Sequence, residues 1–410
     1  MATLLSINNY HYYRGGAETV FLEHNRMFCE RNWQVVPFAM THPRNLPSEW
    51  SDFFVDELEF GQAYGLPGKL RRLPKTIYSF EARSKLSRLL AATHPDIAHA
   101  HNLYHHISPS ILGLLHKRSI PTVLTLHDLK IACPAYSMLA NDGICERCKG
   151  GRLYNVALHR CIKESLALSL VVMVEAVLHK LLGSYRNCVD RFVVPSRFFI
   201  DKFSAWGFPQ EKFAHVPNFI EPGRYQPDFS PGQYFLYLGR LSREKGILTL
   251  IAAAARCGAR VALVGTGPQT EELRQQATRL NANVDFMGYM TGSALHDAVR
   301  GARAVVLPSE CYENAPMSVL EAYALGKPVL GARIGGIPEL LQENITGQSF
   351  ESGDADSLAT ALEGIARRPD AELEEMGRNG RRWVEADFNA ARYVDRILEI
   401  YRGLGVEART

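Results

Sequence analysis

Four charged residues in two short stretches carry the clearest chemical signal in the sequence. Arg240 and Lys245 lie in YLGRLSREKG, just beyond Gly239 and the apolar run YFLYL. Two cations and a glycine at the C-terminal end of a strand suit a diphosphate. Glu244 in the same loop leaves a solvated charged loop as the alternative. Glu313 and Glu321 lie eight positions apart in PSECYENAPMSVLEAYALGKPVL. Here AVVLPS reads as a buried strand, CYENAP as a loop and PMSVLEAYAL as a helix. Pro316 stands near the first helical position, where its missing N–H costs little. The amides of Ala315, Met317 and Ser318, with the positive helix end, then form an anion site. Glu313 precedes the helix and can reach the reacting end of a ligand. Glu321, more than a turn further in, can accept two hydrogen bonds from a vicinal diol. Such charged bonds are worth roughly 1.5–3 kcal/mol each. Alone, Glu321 would pass for a helix-surface acid; Arg240 and Lys245 in the same cleft argue otherwise.

The elements that must position these groups read as two βα series. TLLSI, QVVPFAM, DIAHAH, TVLTLH and RFVVPS are short apolar strands of the first half, each suited to a parallel sheet buried on both faces. A proline-rich stretch, PNFIEPGRYQPDFSPG, reads as a domain linker. YFLYLG, RVALVG, VDFMG, RAVVLPS and KPVLGA then restart the alternation. The expected fold is therefore α/β, with two doubly wound Rossmann-like domains facing across a cleft. The expected boundaries are residues 1–220, 221–385, and a terminal helix over 386–410 packing back on the first domain. A chain of 410 residues suits two cores. A net charge of +3 does not point to nucleic acid. The N-terminus lacks the marks of a signal peptide, and the apolar run Ser165–Val174 is too short to span a bilayer. Both features suggest a cytoplasmic protein. Gly265 and Gly267 in LVGTGP only half-match a dinucleotide fingerprint and read as a tight turn. The DxD of GDADS precedes a helical run and reads as a cap at Asp354.

Taken together, ENAPMSVLEAYALGKPV, GGIPEL, YLGRLSREKG, LVGTGP and VPN resemble the retaining nucleotide-sugar glycosyltransferases of the GT-B fold, family GT4, and HAHNLYHHISP with the cysteine segment after TLHDLKIACP resembles the bacterial surface-polysaccharide enzymes within that family. The resemblance runs from GGAE at Gly15 to the terminal helix. It implies sugar transfer from a nucleotide donor to a hydroxyl with retention, needing no divalent metal or other catalytic cofactor. It matches Arg240 and Lys245 to the diphosphate cations, Glu321 to the ribose ligand and Glu313 to the carboxylate near the donor sugar. Gly15 and Gly16 match the first-domain loop at the diphosphate, and His127 in TLHD matches the histidine beside the donor sugar. Gly239, Asn314, Ala315, Pro316, Met317 and Ser318 complete the expected donor contacts. Many relatives carry Glu-Gly-Phe-Gly where this chain has Glu313, Asn314, Ala315 and Pro316, which unsettles the sugar preference. An inactive sugar-nucleotide sensor and a phosphorylase on the same scaffold are the competing readings.

Three further features have readings of their own. HAHNLYHHISP places His99, His101, His105 and His106 after a strand, with His99 and His101 expected to line an acceptor pocket or to serve structure alone. Cys133, Cys145, Cys148 and Cys161, spaced C-x11-C-x2-C-x12-C in an insertion over about 130–185, fit a structural zinc, free thiols or a redox pair. Lys69–Leu90 holds seven Lys or Arg against one Glu among apolar residues. It suits contact with an anionic membrane, at the inner face of the plasma membrane, or a solvated helix.

Overall fold

The computed structural model describes residues 1–57, 75–104, 106–140 and 143–407. The alternation in the sequence becomes two six-stranded parallel sheets. The first is built from β1 (Thr3–Ile7), β2 (Gln34–Phe38), β3 (Ile97–Ala100) and β4 (Thr122–Thr125). A two-stranded antiparallel hairpin, β5 (Leu139–Ala140) and β6 (Gly143–Ile144), interrupts it before β7 (Arg191–Val194) and β8 (Phe213–His215). The order is β2-β1-β3-β4-β7-β8. The second sheet comprises β9 (Tyr234–Leu238), β10 (Val261–Val264), β11 (Val284–Gly288), β12 (Ala302–Leu307), β13 (Val329–Ala332) and β14 (Gly347–Phe350). Its order, β11-β10-β9-β12-β13-β14, is that of a doubly wound Rossmann sheet. Most of these strands are short runs of Val, Leu, Ile and Ala with no accessible face, because helices cover both sides.

Local signals place the helices. Ser79, Ser196, Asp354 and Asn389 each accept a hydrogen bond from an amide in the first turn of the helix that follows. The DxD acid Asp354 is thus a cap, bonded to the amides of Asp356 and Ser357.

The chain ends by returning to its beginning. Ile220 N–H donates to the Phe388 carbonyl at 2.8 Å, and Ile220 forms a parallel bridge with Asn389. The helix Ala390–Gly403 then covers the first sheet. Tyr393, Val394, Ile397 and Tyr401 enter one core with Leu4, Val20, Phe28, Trp33 and Ile97.

The basic stretch behaves differently from its expected role at a membrane. Residues 69–74 lie outside the described residues. In the helix Phe80–Thr93, Ala82, Leu86, Leu89 and Leu90 are buried in the first domain's core, so this apolar face is already taken. Lys75 and Lys85 are ion-paired to Glu81, and Arg83 donates to the Ser110 carbonyl. No described helix is long and apolar enough to cross a membrane.

Tyr401 is fully buried with its hydroxyl bonded, so Tyr401→Ala should cost about 3–5 kcal/mol of stability. Urea unfolding of the variant would measure it. A loss below about 1 kcal/mol would mean that the last helix adds little to the first domain.

Candidate functional site

The second sheet changes winding direction between β9 and β12, and ligands of doubly wound sheets bind beyond the strands at such a point. The loops leaving these two strands carry Lys245 and Glu313. Lys245 Nζ donates to Glu313 Oε1 at 2.6 Å, and Ser309 Oγ donates to the same oxygen at 2.8 Å. Burial alone would depress the Lys245 ammonium, but the Glu313 carboxylate outweighs it and raises the pKa above its usual value. Gly246, with φ of 66°, permits this contact: a Cβ there would meet the Pro308 carbonyl oxygen at 1.9 Å. Arg240 is exposed beside Gly239, with no ion pair among the described residues. Glu244 is turned away onto Ser242 Oγ at 2.6 Å, which leaves the loop's cations to the cleft. Gly265 and Gly267 let the neighbouring turn press on this loop; a Cβ on Gly267 would meet the Leu241 carbonyl oxygen at 2.1 Å.

The helix Met317–Ala324 begins just past Glu313, with Pro316 at its N-cap position offering no side-chain hydrogen bond. Val319 N–H donates to the Pro316 carbonyl at 3.2 Å, so the amides of Met317 and Ser318 precede the ladder. One turn on, burial raises the pKa of Glu321. Its near neighbour Tyr225 is pushed up to about 12, first by burial and then by Glu321. A carboxylate held this way gains from any hydroxyl pair brought to it.

The first domain meets this helix end to end. The helix α1 (Gly16–Cys29) starts at Gly15, which offers no side-chain cap. A Cβ on Gly16 would lie 3.4 Å from Met317 Cγ, so the amide-bearing starts of the two helices share one wall of the cleft. Met317 itself packs against cores of both domains.

Asn314 departs from its expected place among donor contacts. Its side chain is buried and committed to the first domain: Oδ1 accepts from Ser196 Oγ at 2.8 Å, and Nδ2 donates to the Leu126 carbonyl at 2.8 Å. The Ala315 carbonyl accepts from Asn218 Nδ2 at 2.8 Å. The glycines of GGIPEL serve the same joint: a Cβ on Gly335 would meet the Glu313 backbone and one on Gly336 the Asn314 carbonyl oxygen. Glu339 of that motif reaches across to the amides of Arg197 and Phe198 at 2.8 and 2.7 Å. Sequence reasoning missed Asn314 and Glu339 as domain ties, although the replacement of glycine by asparagine was the available signal.

His99 and His101 do not line an acceptor pocket. Both are wholly buried, because the last helix closes over β3. His99 bonds Tyr401 OH at 2.6 Å and Thr125 Oγ1 at 2.7 Å, while Tyr393 and Tyr401 also reach His24. His101 Nδ1 lies 2.9 Å from His127 Nε2, and its own Nε2 has no partner. The pair is best satisfied with the proton on His101 Nδ1, which leaves His127 protonated on Nδ1 as a donor. Burial lowers the pKa of His127 to about 4 and of His24 to about 3, so both are neutral at pH 7. His105 lies outside the described residues.

A pocket of about 200 Å³ opens instead past β1, β3 and β4, at the switch point of the first sheet. Asn9, Tyr104, Asp128 and Tyr136 line it, with Arg14 and Glu18 from the approach to α1. Asn9 Oδ1, Asn102 Oδ1 and Tyr104 OH are buried there without partners among the described residues. Burial pushes Asp128 up to about 6.

The four cysteines share the insertion, and Cys133, Cys161 and Cys145 all act electrostatically on Cys148, so the thiols lie in one neighbourhood. Among the described residues, the one group of ligand atoms within 4.8 Å of one another is His24, His99 and His101. The nitrogens of His24 and His99 are already bonded to tyrosine or threonine hydroxyls. Cys133 and Cys148 are buried while Cys161 is exposed, so the thiols occupy different depths. Burial, then the neighbouring cysteines, pushes Cys148 up to about 12.

Residues 14–224 match the family model described as Glycosyltransferase Family 4, and residues 226–383 match Glycosyl transferases group 1. The chain is 31% identical over 198 residues to glycogen synthase of Mycobacterium tuberculosis, a match covering 45% of this chain and 47% of that protein. It thus spans about half the length of that relative. The fold superposes on sucrose-phosphate synthase of Thermosynechococcus elongatus with a TM-score of 0.71, at 20% identity, covering 99% of each chain. It superposes on Anabaena HepE in complex with UDP-glucose with a TM-score of 0.67, at 17% identity, covering 98% of this chain and 100% of that one. The architecture is the GT-B fold.

The buried histidines make stability depend on pH. His24, His99, His101 and His127 titrate below their usual value when folded, so the unfolded chain binds more protons as pH falls below about 6.5. Stability should fall by up to about 1.4 kcal/mol per group per pH unit. Thermal unfolding between pH 7.5 and 5 should show a steady drop in Tm. A flat profile would show that these rings are not held neutral.

Proposed function

Because the chain belongs to Glycosyltransferase Family 4, we propose that it moves a sugar from a nucleotide-sugar donor to a hydroxyl of a glycan or lipid-linked glycan. Surface-polysaccharide synthesis is the setting we infer, with retention of anomeric configuration and no need for a divalent metal. The observation that carries this reading is the Lys245–Glu313 pair, set at the β9/β12 switch point under two uncapped helix starts. The UDP-glucose complex of HepE supports a uridine diphosphate sugar as the first donor class to test.

The donor diphosphate enters between Arg240, Lys245 and the amides of Gly16, Met317 and Ser318. Its ribose diol reaches Glu321. Lys245 exchanges Glu313 for a phosphate oxygen, and this frees Glu313 toward the hydroxyls of the sugar. As the bond from the anomeric carbon to the phosphate oxygen breaks, negative charge gathers on the β-phosphate. The cations and amides are already oriented there, each worth about 10²–10³ in rate by analogy with oxyanion-hole donors. The acceptor hydroxyl attacks on the same face, from the pocket lined by Asn9, Tyr104 and Asp128. Its proton passes to the departing phosphate oxygen as the new glycosidic bond forms. His127 donates from Nδ1 to the sugar, steadied through His101.

Removal of either cation, as Arg240→Ala or Lys245→Ala, should lower turnover by about 10²-fold or more with the fold intact. Unchanged rates in both would sink the diphosphate assignment. The glutamates should fail differently. Glu321→Gln is expected to weaken nucleoside diphosphate binding by roughly ten- to a hundredfold, since the ribose contact exists in ground and transition states alike. Glu313→Gln should lower kcat while that binding stays nearly constant. Calorimetry alongside kinetics separates the two, and the reverse pattern would exchange their roles. Chelator-treated enzyme should turn over donor at the untreated rate; activity restored only by magnesium or manganese would contradict the cation roles.

A further inference from the structure

The helix Leu166–Leu181 is inside out. Its buried positions are Ser169, Val172, Glu175 and His179, mostly polar. Glu175 pairs with Lys130 Nζ at 2.8 Å, and His179 bonds Ser184 and the Ile77 carbonyl. On the opposite side Leu166, Leu170, Val174, Val177 and Leu181 are exposed, the last at 81%. Their spacing of three and four residues puts them on one stripe of about 24 Å. The polar side is satisfied by the protein, so the apolar side is the one left without a solvent that suits it.

The surroundings identify that partner. Residues 149–186 contain six Lys or Arg and two Glu, and one of those acids, Glu175, is the buried partner of Lys130. Arg160 and Lys163 are exposed before the helix, and Lys180 and Arg186 at its end. A second copy of this face would bring like charges together at both ends. A protein groove would have to supply an acidic rim at both ends of this stripe. An anionic bilayer takes both: the acyl region accepts the leucines and valines, and the headgroups accept the cations.

We propose that this helix lies in the interface of an anionic lipid membrane and docks the protein there. The contact comes from the cysteine-bearing insertion and not from the Phe80–Thr93 helix, whose apolar face is buried. Its inner face reaches the pocket of the first domain through Glu175 and Lys130, since Lys130 also lines that pocket. Docking thus brings the pocket close to the lipid surface. The proposal does not depend on which sugar is transferred.

The test is cosedimentation of the full chain with vesicles of equal parts phosphatidylglycerol and phosphatidylcholine, and with phosphatidylcholine alone. The protein should sediment with the anionic vesicles and lose binding as salt is raised. A Leu170→Glu, Val174→Glu double variant should bind roughly tenfold less or weaker, with an unchanged thermal transition because both positions are exposed. A Lys163→Glu, Lys180→Glu variant should lose anionic preference while keeping the apolar stripe. Absence of binding to anionic vesicles, or equal binding by the first variant, overturns the proposal. So does a dimer, seen by sedimentation velocity, that the same variant converts to monomer, since the face would then join two copies.

Discussion

The side-chain amide of Asn314 sets the spacing on which the rest of the cleft depends. Both of its ends are held by the first domain, one by the Ser196 hydroxyl and one by the Leu126 carbonyl. Its neighbour on one side is Glu313, and the residue after Leu126 is His127. A single buried amide therefore fixes the distance between the donor-side carboxylate and the first-domain histidine. Losing it would strand polar groups that water cannot reach, at about 1–3 kcal/mol each. Gly335 and Gly336 permit this approach because any side chain there would strike the Glu313 and Asn314 backbone.

Around that joint, charge is arranged by burial as much as by pairing. Lys245 and Glu313 neutralise one another, so neither stands as an isolated charge near the core. Among the described residues Glu321 has no such partner, and burial works against its ionised form. The histidines take the opposite course: buried among tyrosine hydroxyls, they stay neutral and act as oriented hydrogen-bonding groups. The first-domain pocket collects unpaired oxygens from Asn9, Asn102 and Tyr104, which suits a ligand rich in hydroxyl donors.

How much of this was legible followed from how local each signal is. Apolar runs of four to six residues separated by amphipathic stretches read directly as two doubly wound sheets. The placing of Glu313 and Lys245 in strand-end loops, and of Gly15, Gly16 and Glu321 at or inside helix starts, was readable because such loops and helix starts are written in contiguous residues. His99 and His101 were misread because what covers them, Tyr401, lies 302 residues away from His99. The Phe80–Thr93 helix shows amphipathic spacing, but spacing cannot say whether the apolar face meets a core or a lipid. The run Ser165–Val174 shows only its length in the sequence, while its reversed polarity rests on Glu175 facing inward toward Lys130.

The return of the last helix to the first sheet has a consequence for the order in which the molecule can be made. The second domain is, in connectivity, an insertion between residue 220 and residue 389 of the first. A chain emerging from the ribosome can complete the β9 to β14 unit while β1 and β3 still lack a cover. His24 and His99 have no tyrosine hydroxyls, and Leu4 and Ile97 have no outer packing layer, until Tyr393 and Tyr401 appear. The domain synthesised first is therefore the domain finished last.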